Sequence, residues 1–232
     1  MIKNTKKAIF FDFGDTLAST DPPYIFRIAK AFRRAGYDIS DRDFLFAYLK
    51  ADFEISKKQK SHGSMNSEEY NLWFFPLLCK SLEIEDKPDE VRQNLRNNTA
   101  PRRYYRNTLP GTQKLLTYLK QKGYILGVIS NNDGYTNRKC KDVDIHRYFD
   151  IIADSTNIGY VKPDPRIFEH VLDKLGLEHK ECLHVGDLYG ADVLGAKNAG
   201  IDVIWLNYRD INIIDDRDTF QIKELSELMD IL

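Results

Sequence analysis

Beyond residue 110 the chain alternates short apolar runs with longer amphipathic stretches. Four runs have the continuous hydrophobicity of buried strands: residues 124–129, 150–153, 181–185 and 202–206. The stretches between them have helical periodicity, near 111–122, 134–141, 165–175 and 190–199. Glycines follow three of these stretches, where helices commonly end: Gly123, Gly176 and Gly200. This alternation predicts an α/β fold with three layers, in which helices cover both faces of a parallel sheet.

The first apolar run, Lys7 to Asp12, belongs to the same predicted sheet, but the segment after it has a different pattern. That segment holds four amphipathic stretches and no clear strand, near 23–36, 41–59, 67–83 and 87–97. We therefore predict two domains. Residues 1–20 and 104–232 would form the core, and residues 21–103 would form an all-helical cap over the C-terminal edge of the sheet.

Composition and charge narrow the range of functions. The 232 residues are 42% hydrophobic, which is enough for a packed core and argues against a disordered chain. The 34 basic and 35 acidic residues nearly cancel, so charge gives no reason to expect a nucleic-acid partner. No segment has the roughly 20 apolar residues of a membrane helix, so no membrane partner is expected. Three widely spaced cysteines without a zinc pattern predict reduced thiols and a cytoplasmic location.

Carboxylates follow the first strand and the strand that ends near residue 186. Asp12 stands in Phe10–Leu17 (FFDFGDTL), and Asp187 is followed by Asp192 five residues later. A carboxylate at the end of a buried strand is costly unless it is paired or binds a cation. Mg²⁺ prefers a few carboxylate oxygens plus water. Asp12 and Asp187 could supply such oxygens, although each motif alone is also typical of turns and helix starts.

A hydroxyl and an ammonium group follow two other strands. The Ser130 hydroxyl and the backbone amides beyond it, beginning at Asn131, could bind a phosphoryl oxygen. Lys162, held extended before Pro163, could neutralise charge on a nucleophile and on a phosphate. Taken singly, the first motif also opens ordinary loops, and the lysine would be a solvated surface charge.

Together, the four strand ends in this order closely resemble the haloacid dehalogenase superfamily. The resemblance covers about 1–20 and 104–232, and it implies a Rossmann-like core, a mobile cap, a Mg²⁺ ion and a covalent aspartyl intermediate. By that resemblance Asp12 is the nucleophile, Ser130 and Asn131 contact the phosphoryl group, and Lys162 balances charge. The implied metal ligands are Asp12, Gly14 through its backbone carbonyl, and Asp187, with Asp192 in support.

One position departs from the pattern of the superfamily's phosphatases, which commonly have a general acid and base two residues after the nucleophile. Here that position is Gly14, and we expect Asp15 to point away from the reacting centre.

The leading hypothesis is a Mg²⁺-dependent phosphatase acting on a small phosphorylated metabolite. The alternatives are a metal-independent dehalogenase and a non-catalytic regulatory module. Asp187 and Asp192 favour the phosphatase, and Gly14 is the only feature that favours the non-catalytic module.

Two further features have ordinary interpretations. Arg102, Arg103 and Arg106 cluster at the second crossing between core and cap; they could reach an anionic substrate, but a solvated charge run is the favoured interpretation. His184, inside a predicted strand, is expected to be a buried, hydrogen-bonded histidine rather than a metal ligand.

Overall fold

The structure of the protein, a computed structural model, describes residues 6–62, 65–98 and 104–232. Its strands are, in chain order, β1 (Ala8–Phe11), β2 (Ala18–Thr20), β3 (Arg106–Thr108), β4 (Ile125–Ser130), β5 (Ile151–Asp154), β6 (Cys182–Gly186), β7 (Asp202–Leu206) and β8 (Phe220–Ile222). Six of them form one parallel sheet in the order β5-β4-β1-β6-β7-β8, and β2 pairs with β3 in an antiparallel ribbon.

The helices include the four stretches predicted in the core, together with two four-residue helices, near 155–158 and 228–231, that were not predicted. They are α1 (Tyr24–Arg34), α2 (Asp41–His62), α3 (Ser67–Ser81), α4 (Pro88–Asn98), α5 (Thr112–Gln121), α6 (Thr136–Asp142), α7 (Ser155–Ile158), α8 (Pro165–Leu175), α9 (Gly195–Asn198) and α10 (Leu228–Ile231). A π-helical turn, Tyr189–Leu194, leads into α9, so the predicted helix near 190–199 begins with wider turns. Among the described helices, none is long and apolar enough to cross a membrane.

The sheet is buried on both faces, which explains its continuous apolar strands. In β1, Ile9 and Phe11 pack into one core cluster with Leu115 and Leu116, on the face covered by α5. Phe10 points to the other face, where the cluster includes residues of α8. The predicted α/β fold with a parallel sheet is therefore confirmed, because successive side chains alternate between two helical layers.

Three strands run one residue later than the sequence pattern suggested: β4, β5 and β6. The predicted ranges followed the apolar residues, whereas backbone pairing continues to the polar or glycine residue at each strand's end. The ribbon of β2 and β3 and the short edge strand β8 were not predicted, because three-residue strands give too little periodicity to recognise.

The four predicted helices of the inserted segment are present as α1–α4, between β2 and β3. They share their own apolar cluster, which includes Phe32, Phe44, Leu78 and Val91. Helix α2 also reaches the core, where it packs on the π-helical turn Tyr189–Leu194. The division into two domains with boundaries at residues 20 and 104 stays a prediction.

Candidate active site

The strand order brings three of the predicted site residues to one edge of the sheet. Strand β1 lies between β4 and β6, with Phe11 level with Val128 and Val185. Asp12 therefore follows the central strand, between Ser130 at the end of β4 and Asp187 just after β6. This arrangement confirms that these three strand ends are neighbours.

Lys162 links two of the carboxylates. Its Nζ donates to Oδ1 of Asp12 (2.7 Å), to Oδ1 of Asp192 (2.7 Å) and to the backbone oxygen of Ile129 (2.8 Å). These contacts use all three donors of an ammonium group whose side chain is only 1% exposed. The Asn131 side chain fixes the lysine backbone, since it accepts from the Lys162 N–H (2.7 Å) and donates to its carbonyl (2.9 Å). Lys162 is thus a buried, fixed cation, not the solvated charge that its motif alone would suggest.

The charges of this cluster shift one another's pKa values. Burial would lower the pKa of Lys162, but Asp12 and Asp192 outweigh it and raise that pKa, so the lysine stays charged. Burial would raise the pKa of Asp192, but Lys162 and His184 hold it below its usual range. Burial raises the pKa of Asp12 to about 7 against the opposing effect of Lys162, and the negative charges of Asp192 and Asp187 add to that rise.

Asp192 supports the lysine and a buried histidine from within the core. Its Oδ1 contacts Nε2 of His184 (2.9 Å), and its Oδ2 accepts from the N–H of Leu188 (3.0 Å). His184 is therefore buried and hydrogen-bonded, as expected from sequence, and burial lowers its pKa, which favours the neutral form. The close approach requires a glycine on the neighbouring strand, because a Cβ at Gly186 would lie 2.2 Å from Cγ of Asp192.

Arg209, which sequence reasoning missed, bridges Asp187 and Asp15. Its Nη1 donates to Oδ2 of Asp187 (2.5 Å) and its Nη2 to Oδ2 of Asp15 (3.1 Å). Asp187 also accepts from the Thr16 hydroxyl (3.0 Å), and Asp15 from the Ser19 hydroxyl (2.5 Å). Burial raises the pKa of Asp187 to about 6, although Arg209 opposes that shift. Asp15 lines the same cavity as Asp12, but these contacts engage both of its oxygens.

The oxygen atoms at this edge of the sheet suit a magnesium ion that is bound partly by protein oxygens and partly by water. Asp12 and Asp187 have carboxylates that line this cavity, and the exposed Gly14 lines it too, which makes its backbone carbonyl a third candidate oxygen. Over the described ranges, no cluster of three or more histidine, cysteine or carboxylate side chains forms a complete metal cage. Mg²⁺ does not require one, because it commonly keeps several waters and one or two carboxylates. Both oxygens of Asp187 also accept hydrogen bonds, from Thr16 and Arg209. Those of Asp192 are engaged deeper in the core, with Lys162 and His184 among their partners, which suits a supporting role for that residue.

These groups line a cavity of about 660 Å³ between the sheet edge and the inserted helices. It holds every site residue predicted from sequence: Asp12, Gly14, Ser130, Asn131, Lys162, Asp187 and Asp192. The inserted helices add a polar and aromatic wall: Tyr24, Arg27, Tyr48, Tyr70 and Asn71. Arg106 also lines the cavity and is half-buried, so it is not a fully solvated charge; Arg102 and Arg103 lie outside the described residues.

Two other buried carboxylates shape the cavity without having been predicted. Asp154, at the end of β5, accepts from the backbone N–H groups of Gly134 (3.0 Å) and Thr136 (3.1 Å), which orders the loop after Ser130. Asp52, on α2, accepts from the N–H groups that open the π-helical turn, namely Gly190 (2.6 Å) and Ala191 (3.1 Å). Asp154 directly follows a predicted strand, so its position at the sheet edge had a sequence signal that was not used, whereas Asp52 on a polar helix gives no signal for a contact so distant along the chain.

Sequence comparison relates the chain to a hydrolase family. Residues 6–200 match the family described as haloacid dehalogenase-like hydrolase. The glyceraldehyde 3-phosphate phosphatase of Methanothermobacter thermautotrophicus is 30% identical over 94% of this chain and 99% of that relative. The pyrimidine 5'-nucleotidase YjjG of Escherichia coli is 33% identical over 86% of this chain and 85% of its own length.

Solved structures share the fold over nearly the whole chain. The HAD-hydrolase YfnB of Bacillus subtilis has a TM-score of 0.66 at 23% identity, with 99% of both chains covered. The HAD phosphatase of Thermococcus onnurineus has a TM-score of 0.61 at 24% identity, with 97% of both chains covered. At these identities the likeness establishes the common fold.

Proposed function

Since the chain belongs to the haloacid dehalogenase-like hydrolases, we propose that it is a phosphatase that hydrolyses the monoester of a small phosphorylated metabolite. The observation on which this rests is the buried contact between Asp12 and Lys162, at the floor of a cavity also lined by Ser130. Phosphatases of small phosphorylated compounds among the sequence relatives support the same reaction class. The cytoplasmic location, which the three buried free cysteines suit, is part of this proposal.

The proposed first step is attack by Asp12 on phosphorus. Lys162 binds Oδ1, and among the described residues no hydrogen bond engages Oδ2, so Oδ2 is the attacking atom. A bond forms between Oδ2 and phosphorus while the bond from phosphorus to the ester oxygen breaks, which gives an aspartyl phosphate and the alcohol. Ser130 and the backbone N–H of Asn131 would hold the phosphoryl oxygens. Because Gly14 offers no acid, water would protonate the leaving oxygen.

In the second step, water attacks phosphorus and the bond to Oδ2 of Asp12 breaks. Inorganic phosphate leaves, and the regenerated Asp12 carboxylate again pairs with Lys162. Asp12, the Gly14 carbonyl and Asp187 would hold a Mg²⁺ ion, which when bound supplies positive charge beside the phosphoryl group. A bound cation would also favour the ionised form of Asp12, whose pKa burial raises to about 7.

The decisive experiment measures hydrolysis of p-nitrophenyl phosphate and of a phosphometabolite panel, with Mg²⁺ and with chelator. Asp12→Asn should lower turnover by about 10³-fold or more, since the covalent route is removed. The control is Asp173→Asn, a substitution at an exposed position on α8. Equal rates for wild type and Asp12→Asn would refute the assignment. Release of halide from 2-haloacids in chelator would indicate a dehalogenase, and inactivity on all substrates would indicate a binding module.

A further inference from the structure

We infer that Arg27 and Arg106 form a second anion-binding subsite in the cavity, so that the preferred substrate bears a negatively charged group in addition to its phosphate ester. This inference rests on the proposed function and specifies its substrate class. The charged group would be a carboxylate or a second phosphate.

The two arginines come from different parts of the fold and line the same cavity. Arg27 lies on α1, whereas Arg106 begins β3, where the chain returns to the core. The Arg106 guanidinium carbon lies 5.6 Å from the ring centroid of Phe13, the residue that follows the proposed nucleophile Asp12. Because Asp12 lines this same cavity of about 660 Å³, one small molecule bound in it can contact both the arginines and the reacting centre.

Aromatic rings fix the guanidinium groups in position. The guanidinium carbon of Arg27 lies 4.2 Å from the ring centroid of Tyr104 and 5.3 Å from that of Tyr24. A guanidinium stacked on a ring keeps its in-plane N–H groups available for a planar oxyanion. Fixed donors of this kind lose little freedom when an anion binds.

The charges of these arginines are not balanced within the described part of the chain. Lys139 pairs with Asp133 (2.6 Å), and Lys162 and Arg209 bind the carboxylates already described. Among the described residues, by contrast, no carboxylate forms an ion pair with Arg27 or Arg106, and Nε of Arg27 is buried without a hydrogen-bond partner.

The two arginines also act on each other. Burial lowers the pKa of Arg106, the positive charge of Arg27 lowers it further, and Asp133 and Asp142 oppose these effects from a distance. Two neighbouring cations in a partly dehydrated cavity are stabilised when an anion binds between them.

This arrangement selects among small phosphate esters by charge. Guanidinium groups bind carboxylates and phosphates through paired N–H···O bonds, whereas a neutral hydroxyl or aldehyde offers no charge to balance them. Phosphorylated carboxylates and bisphosphates should therefore be better substrates than neutral-tailed esters of the same length. The relatives named as glyceraldehyde 3-phosphate phosphatases would differ from this chain in that respect.

The first test uses the wild-type protein and pairs of substrates matched in length. The carboxylate pairs are 3-phosphoglycerate with glycerol 3-phosphate and 6-phosphogluconate with glucose 6-phosphate; the bisphosphate pair is fructose 1,6-bisphosphate with fructose 6-phosphate. In at least one of these two kinds of pair, we expect kcat/KM to be at least about 10-fold higher for the compound that bears the second charged group. The reason is that charged hydrogen bonds from the arginines to this group add to binding. The pair that responds distinguishes a carboxylate from a second phosphate.

The second test uses variants. Arg27→Gln and Arg106→Gln should each lower the charged-to-neutral ratio of kcat/KM by about 10-fold, and Arg106→Lys should lower it less. Arg34→Gln, at an exposed position of the same helix as Arg27, should leave that ratio unchanged. Equal losses on both members of a pair would show that the arginines only support the fold of the cavity, and would overturn the inference.

The subsite can fail independently of the phosphatase. If Asp12-dependent hydrolysis is observed but no wild-type pair shows a preference, the subsite is wrong and the phosphatase stands. If no ester is hydrolysed, calorimetry on the Asp12→Asn protein still compares binding of 3-phosphoglycerate with that of glycerol 3-phosphate. Tighter binding of 3-phosphoglycerate that disappears in the Asp12→Asn, Arg106→Gln double variant supports the subsite, and equal binding of the two compounds refutes it.

Discussion

Asp52 should make the stability of this protein depend on pH. The side chain is only 1% exposed, and its oxygens accept from the N–H groups of Gly190 and Ala191. Burial raises its pKa from 3.8 to about 7; the two backbone N–H groups oppose the rise, and the negative charges of Asp192 and Asp187 add to it. The folded protein therefore binds a proton here at pH values where the unfolded chain has already lost it.

The sign and size of the effect follow from these two pKa values. Between them the folded state holds more protons than the unfolded state, so the free energy of unfolding falls as pH rises. From pH 5 to pH 8 the loss due to Asp52 is roughly 2–3 kcal/mol, and above the folded pKa it reaches a plateau. In Asp52→Asn this loss is absent. The asparagine also replaces an accepting oxygen with an NH₂ group, which costs about 1 kcal/mol at every pH.

Urea unfolding of wild type and Asp52→Asn at pH 5 and pH 8 measures the effect. The difference in free energy of unfolding between the two proteins should move in favour of Asp52→Asn by roughly 2–3 kcal/mol from the lower to the higher pH. Asp43→Asn, an exposed substitution on the same helix, is the control. An Asp52→Asn effect that is the same at both pH values would mean that Asp52 is ionised throughout, and that burial does not dominate its pKa.

Two substitutions probe the surroundings of the proposed nucleophile and metal site. Gly14→Asp should raise kcat/KM for alkyl phosphates more than for aryl phosphates, because protonation of the leaving group by a positioned acid is typically worth ~10²–10⁴-fold in rate. There is room for the new side chain, since a Cβ at Gly14 meets no atom within 4 Å. Gly14→Asn is the control without a transferable proton, and equal effects of Gly14→Asp on both ester types would contradict the reasoning. Arg209→Gln should lower the Mg²⁺ concentration for half-maximal activity several-fold by freeing Asp187, whereas an unchanged metal titration would show that Arg209 does not compete with the ion.

The residues at the strand ends could be predicted from sequence because one rule of parallel sheets positions them all. Apolar runs predict the strands, and residues that directly follow such runs meet at the same edge. The pattern alone places Asp12, Ser130 and Asp187 at strand ends, their roles came from the resemblance to the superfamily, and the order of β4, β1 and β6 brings them together. Lys162 follows a loop and a short helix instead, and there the likeness to a known motif was needed.

The residues that hold these groups in place could not be predicted in the same way. Arg209 contacts Asp15 across 194 positions, and Asp52 contacts Gly190 across 138. Neither stands in a periodic pattern, and each chain segment alone predicts a solvated charge. Arg106 shows the same limit, because only the fold places its half-buried side chain over Phe13.

Asp12 and Asp192, the two carboxylates that pair with Lys162, have different roles in the proposed reaction. When Asp12 carries a phosphoryl group, its own carboxylate charge is lost, and Lys162 would depend on the phosphoryl oxygens alone for a counter-charge if Asp12 were its only ion pair. Asp192 prevents this, because its Oδ1 lies 2.7 Å from Nζ and it takes no part in the transfer. An unpaired buried charge costs several kcal/mol. The Lys162–Asp192 pair therefore keeps that cost from adding to the free energy of the intermediate, and it leaves Lys162 in place to accept the Asp12 carboxylate when phosphate departs.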